Sequence, residues 1–121
     1  MLHRAMNFGK YIRAKREELL KTLPDYTVRK VAARIGLEPS YLSKTERNIA
    51  APPSEATIRR LAEALHENPD LLLAMAGKVS SDLRQIIMKR PKLFAEMIRE
   101  LKNAPDHAIL RVAREVRDGK W

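Results

Sequence analysis

The chain has 121 residues, which is room for one domain, or for one small domain with an appendage. Its 24 lysine and arginine residues outnumber its 15 aspartate and glutamate residues, and the net charge of +9 favours a polyanionic partner such as nucleic acid or an anionic membrane surface. Because the sequence contains no cysteine, disulfides, thiol catalysis and cysteine-ligated zinc are excluded.

The pattern of apolar and polar residues predicts an all-α fold, because no alternating run of β-branched residues indicates a strand. We expect a first helix from about Asn7, which is a plausible N-cap, to Leu20, before Pro24 and Asp25 interrupt it. Seven further helices are predicted, at about residues 28–34, 39–46, 54–66, 70–75, 81–89, 91–102 and 105–118.

The character of the sequence changes after Gly77, and we place a domain boundary there. Residues 7–77 form the first predicted domain and contain five helices, whereas residues 78–121 form a C-terminal region of three helices. Three helices in so short a segment can scarcely bury their own apolar faces. We therefore expect them to pack on the first domain or on a second copy of the chain.

The segment 27–47 has the features of two short helices joined by a tight turn. Ala32 is small enough to let two crossing helices approach, Gly36 supplies the positive φ of the turn, and Leu42 anchors the second helix. The remaining positions of the second helix include Ser40, Tyr41, Ser43 and Lys44. This is the layout of a helix-turn-helix, in which the second helix lies in the major groove of DNA.

Residues 8–76 resemble the lambda-repressor/Cro-type helix-turn-helix regulators, also called xenobiotic-response-element-like regulators. The resemblance depends on three segments, FGKYIRAKREELL from Phe8, TVRKVAARIGLEPSYLSKTER from Thr27 and PSEATIRRLAEAL from Pro53. It implies a five-helix DNA-binding domain. It also implies a transcriptional regulator, expected to be a repressor, that binds a palindromic operator in double-stranded DNA as a homodimer.

The resemblance also implies roles for individual residues. Arg16 is expected to form an ion pair with Glu46, joining the first helix to the end of the recognition helix. The base-contacting positions of the family fall on Pro39, Ser40 and Lys44, with Ser43 beside them. Its phosphate-contacting positions fall on Thr27, Tyr41 and Arg47.

Two positions of the recognition helix depart from the family pattern. Glu38 replaces the usual serine or threonine cap, and Pro39 has neither an N–H group nor a polar side chain with which to contact a base. We therefore expect the base contacts to come from Ser40, Ser43 and Lys44. Lysine donates well to the O6 and N7 atoms of guanine, so each half-site is predicted to place a guanine opposite Lys44.

The C-terminal helices present two apolar faces that are candidates for a dimer contact. They consist of Phe94, Met97, Ile98 and Leu101 on one helix and of Ile109, Val112 and Val116 on the next. A dimer is expected because two recognition helices must reach major grooves about 34 Å apart. The alternative is that these faces only complete a monomeric core.

Two other classes of function remain open at this point. One is an antitoxin or interaction protein whose C-terminal helices bind a toxin or a protease partner, in addition to DNA binding. The other is a membrane-surface protein, which is disfavoured because the cations lie on short helices interrupted by proline.

Catalysis and metal binding are not expected from this sequence. Ser43 and Lys44 are neighbours on one helix, so their side chains diverge and cannot form a catalytic pair. The three histidines, His3, His66 and His107, have no metal-binding spacing, and we predict neither a metal nor a cofactor. With no apolar stretch of signal-peptide or membrane-spanning length, we expect a cytoplasmic, nucleoid-associated protein.

Overall fold

Eight α-helices form most of the structure, which is a computed structural model that describes residues 3–119 and 121, with side chains from Phe8 onward. No strand occurs among these residues, so the predicted all-α fold is confirmed. The helices are α1 (His3–Leu20), α2 (Val28–Ile35), α3 (Pro39–Glu46), α4 (Glu55–Leu65), α5 (Pro69–Met75), α6 (Ser81–Lys89), α7 (Pro91–Leu101) and α8 (Asp106–Asp118), and a 3₁₀ helix (Pro24–Tyr26) lies between α1 and α2.

The start of α1 differs from the predicted one. The helix begins at His3, so Asn7 lies within it, and the prediction that Asn7 is the N-cap is wrong. The residues between them are Arg4, Ala5 and Met6, which are good helix formers and let the helix extend toward the N-terminus. The side chains of His3 and Asn7 lie outside the described residues.

The turn between α2 and α3 is set by caps at both ends of α2. Oγ1 of Thr27 accepts a hydrogen bond of 3.2 Å from the backbone N–H of Lys30, which caps the first turn. Gly36 ends the helix with a φ of +76°, a left-handed conformation that costs glycine little because it has no Cβ atom. Only residues 36–38 then separate α2 from α3.

The chain divides into two compact units, one up to Ser80 and one from Ser81 onward. The first unit packs α1–α5 around a continuous apolar core. The core consists of Phe8, Ile12, Tyr26, Val31, Ala32, Ile35, Leu42, Ile58, Leu61, Ala62, Leu65, Leu72 and Leu73.

The second unit contains α6–α8, and α6 packs against α7. None of its described side chains is buried. In the part of the chain that the structure describes, every helix is too short or too polar to span a bilayer.

Candidate nucleic-acid interface

Helix α3 has one buried side and one uncovered side. The buried side holds Leu42, Thr45 and Glu46. The opposite side holds Ser40, Ser43 and Lys44, of which Ser43 is half-buried and the other two are exposed. Within the described residues these three side chains have no hydrogen-bond partner. The side of α3 that was predicted to contact bases is therefore accessible to a ligand.

The C-terminal end of α3 is held in place by a buried ion pair between Arg16 and Glu46. Nε of Arg16 lies 2.6 Å from Oε2 of Glu46, and its Nη2 lies 3.0 Å from Oε1. The Nη1 atom donates a third hydrogen bond, of 3.0 Å, to the carbonyl oxygen of Tyr26. A bidentate guanidinium–carboxylate pair fixes both distance and orientation. This cluster therefore fixes α3 relative to α1 and to the 3₁₀ helix.

A glycine in α1 lets that helix approach the end of α3 closely. A Cβ atom at Gly9 would lie 2.5 Å from the carbonyl oxygen of Thr45 and 2.5 Å from Oδ1 of Asn48, closer than real Cβ contacts allow. This contact was not predicted from the sequence. A signal was present, because a glycine inside a helix costs about 1 kcal/mol relative to alanine and often indicates close packing.

Two further hydrogen bonds join α4 to the end of α2 and to the 3₁₀ helix. Nε of Arg60 donates to the carbonyl oxygen of Ile35 at 3.1 Å, at the end of α2. The hydroxyl of Tyr26 donates to the carbonyl oxygen of Ala64 at 2.7 Å. Neither contact was predicted, because each joins residues at least 25 positions apart and leaves no local pattern in the sequence.

Two of the predicted phosphate-contacting residues have donors to offer. Thr27 is exposed, and its Oγ1 atom accepts from the N–H of Lys30, which leaves its O–H group free to donate. Arg47 is exposed and donates only from Nε, at 3.4 Å, to the carbonyl oxygen of Ser43. Its remaining guanidinium N–H groups are available to an anion.

Tyr41, the third of these residues, is used differently in this structure. Its hydroxyl donates to the carbonyl oxygen of Ala51 at 2.8 Å and so ties α3 to the loop that follows it. A phosphate oxygen only accepts hydrogen bonds, and the single proton of this hydroxyl is already donated within the protein. The geometry thus gives Tyr41 a structural contact at the place where the resemblance implied a phosphate contact.

The residues predicted to form the dimer contact all belong to the second unit. Phe94 and Leu101 are half-buried there. The exposed members of the set are Met97, Ile98, Ile109, Val112 and Val116.

Comparison with known proteins supports the assignment of the first unit. A family model described as a helix-turn-helix domain matches residues 7–75, more than half of the chain. No curated protein and no solved structure matches the chain. The matched segment includes α2, the turn at Gly36 and α3, together with the helices that hold them. The chain therefore belongs to the helix-turn-helix domain family of DNA-binding regulators.

Proposed function

We propose that the chain is a sequence-specific transcriptional repressor of the lambda-repressor/Cro type. The observation that carries this proposal is the uncovered side of α3, on which Ser40 and Lys44 are exposed while the helix itself is anchored from behind by Glu46. An α-helix fits the major groove of B-form DNA, where each base pair presents a distinct pattern of donors and acceptors. A rigidly held helix with an exposed polar side can recognise such a pattern.

Sequence recognition is assigned to three side chains of α3. The ammonium group of Lys44 donates to O6 and N7 of a guanine, and the hydroxyl of Ser40 donates to or accepts from several bases. Ser43 is half-buried, so its hydroxyl contacts bases from a position nearer the domain core than that of Ser40 or Lys44. Specificity in this protein accordingly depends on Lys44 and Ser40 more than on the start of the helix, where Pro39 offers no donor.

Phosphate contacts position the helix in the groove. Thr27 lies at the N-terminus of α2, where backbone N–H groups and the helix dipole favour an anion, and Arg47 directly follows α3. Residues 1–50 contain 11 basic and 5 acidic side chains, so the half of the chain that carries α2 and α3 is attracted to DNA as a whole.

Repression then requires only binding, and we propose no catalytic step. One recognition helix covers only a few base pairs, so two copies bound to a two-fold operator give the necessary affinity and specificity. The C-terminal helices supply the contact between the copies. Occupation of such an operator within a promoter blocks transcription, and the promoter of the regulator's own gene is one such target.

Selection of bound duplexes from a random library, at a stated salt concentration, tests this function directly. We expect a palindromic motif whose half-sites are one helical turn apart and contain a guanine at a fixed position. If no motif is enriched while the affinity still falls steeply with salt, the chain binds DNA without sequence preference and the repressor proposal is wrong.

A further inference from the structure

The second unit lacks a core of its own. From Ser81 to Gly119, no described side chain is buried, and the most covered residues are only half-buried. Ten large apolar side chains of α6–α8 are between 39% and 67% exposed, namely Leu83, Ile86, Met88, Leu93, Met97, Ile98, Ile109, Leu110, Val112 and Val116. A segment of about 40 residues that contains no cysteine is stable only when it buries such side chains, and oligomerisation is one common means of doing so.

The apolar faces of α7 and α8 are continuous along each helix. On α7, Phe94, Met97 and Leu101 recur at intervals of three and four residues, and on α8, Ile109, Val112 and Val116 do the same. These are the intervals at which side chains share one side of a helix. Each helix thus presents a stripe that is suited to packing against another helix.

The total exposed apolar area of α6–α8 is of the order that a dimer interface needs. A large apolar side chain offers about 100 Å² when it is fully exposed. The ten side chains at roughly half exposure together offer on the order of 500 Å², and without Met88 and Leu110, which lie on the other sides of α6 and α8, about 400 Å². A stable interface buries about 800 Å² on each partner, of which about 57%, or roughly 450 Å², is apolar.

The charges of α7 are compatible with a second copy of the same helix. Its charged residues are the cations Lys92 and Arg99 and the anions Glu96 and Glu100, which balance one another. Lys92, Glu96 and Arg99 lie on the side of the helix away from the apolar stripe, and Glu100 lies at its edge. Because the net charge of α7 is zero, two copies that meet through this stripe do not repel each other through the net charge of this helix.

From these observations we propose that α6–α8 fold only by pairing with the same unit of a second copy, so that folding of this unit and dimerisation are a single event. This proposal deepens the dimeric part of the proposed function. Its consequence for DNA binding rests on that function. In a dissociated chain the helix-turn-helix unit stays folded around its own core while the C-terminal unit unfolds. The affinity for a two-half-site operator then depends on the concentration of the chain, because the dimer and its folded C-terminal unit form together.

The experiment uses the full chain without DNA, over a dilution series that crosses the dissociation of the dimer. Sedimentation gives the mass, and hydrogen exchange followed by peptide mass spectrometry gives the protection of residues 8–80 and 81–119 separately. We expect the mass to fall from two chains to one while residues 81–119 lose their protection over the same concentration range. Residues 8–80 are expected to stay protected throughout.

A pair of variants assigns the contact to the apolar stripe. Met97→Glu introduces a charge into the stripe of α7, and Gln85→Glu introduces the same charge at an exposed polar position of α6. We expect Met97→Glu to give a single chain with an unprotected C-terminal unit and a protected first unit, and Gln85→Glu to behave as the wild type. If Met97→Glu keeps the mass of two chains, the proposed contact is wrong.

The other possible outcomes for the wild-type chain would each overturn the proposal. A wild-type chain that stays monomeric with residues 81–119 protected has a self-sufficient C-terminal unit, which overturns the proposal. A monomer with these residues unprotected at every concentration overturns it too. Because no DNA is present, these results do not depend on sequence recognition. Lys44→Ala is expected to leave both the mass and the exchange unchanged, so failure of the repressor function and failure of this proposal are separable.

Discussion

Arg16 and Glu46 lie 30 positions apart in the sequence and form a bidentate ion pair inside the protein, with contacts of 2.6 and 3.0 Å. The side chains of both residues are less than 10% exposed. The pair joins the C-terminal part of α1 to the last residue of the recognition helix, so the position of that helix depends on it.

Removal of one partner of this pair is expected to destabilise the protein strongly. Glu46→Ala leaves the guanidinium of Arg16 buried without its counter-charge, which should lower the free energy of unfolding by about 3–5 kcal/mol. The exposed pair of Arg13 and Glu17 serves as the control, since both side chains are 51% exposed, and Glu17→Ala should cost less than about 1 kcal/mol. Urea unfolding measures both. Equal effects of the two substitutions would show that the buried pair does not hold the fold together.

Gly9→Ala should destabilise the protein although alanine is the better helix former. Intrinsic propensity alone predicts a gain of about 1 kcal/mol. The added Cβ atom would meet the carbonyl oxygen of Thr45 at 2.5 Å, and a backbone atom cannot move aside cheaply, so we expect a net loss of about 1–3 kcal/mol. Ala14→Gly, at an exposed position of α1, is the control and should cost only the propensity difference. A more stable Gly9→Ala protein would contradict the close approach of α1 to α3.

Lys44→Ala should affect affinity and specificity together. Loss of the contact with guanine is expected to weaken binding to the selected operator by about 1–3 kcal/mol and to relax the sequence requirement at one position of each half-site. Lys21→Ala, which removes an exposed lysine that follows α1, should change neither. Binding constants for the operator and for duplexes changed at single positions provide the measurement. An equal loss on every duplex would make Lys44 a phosphate contact instead.

Tyr41 and Arg47 should respond differently to substitution. Tyr41→Phe removes the hydrogen bond to Ala51 and should lower the free energy of unfolding by about 1 kcal/mol without a comparable loss of DNA affinity. Arg47→Ala should weaken binding on all sequences and reduce the slope of log affinity against log salt by about one. If Tyr41→Phe instead weakens DNA binding and leaves stability unchanged, the hydroxyl contacts a phosphate in the complex.

The pair of Tyr11 and Glu67 makes stability depend on pH at both ends of the range. The hydroxyl of Tyr11 donates to Oε2 of Glu67 at 2.6 Å, and this hydrogen bond lowers the pKa of Glu67 and raises the pKa of Tyr11. The stabilisation from Glu67 is therefore complete above its ordinary pKa of 4.5 and is lost as the pH falls through the lowered value. The stabilisation from Tyr11 is complete below 10 and is lost as the pH rises through the raised value.

Tyr11→Phe removes both contributions at once. The difference in unfolding free energy between the wild type and this variant should be largest between about pH 4.5 and 10 and should shrink on either side. Urea unfolding over a pH series gives this difference. Tyr41→Phe is the matched control in the acidic range, because the partner of Tyr41 is a backbone carbonyl that does not titrate. A difference for Tyr11→Phe that is constant from pH 3 to 7 would contradict the coupling to Glu67.

The sequence by itself determined the helices of this protein and the turn within its DNA-binding motif. Thr27, Gly36 and the proline that begins α3 act on the backbone within a few residues, and caps, positive φ and helical periodicity are local properties. The exposed positions of Ser40 and Lys44 also follow locally, because Leu42 fixes which side of α3 faces the core. The predicted start of α1 is too late, because helix-forming residues precede the cap residue Asn7 and the helix continues through it.

Only the tertiary structure decided what the remaining side chains do. The contact of Gly9 with the end of α3, the hydrogen bond from Arg60 to Ile35 and the use of the Tyr41 hydroxyl within the protein join segments that are distant or irregular in sequence. Such contacts depend on how the helices cross, which is set by the packing of the whole core and not by the residues that flank each position. For the same reason the sequence could identify the apolar stripes of α7 and α8, but only the structure shows that most of their side chains stay exposed and none is buried.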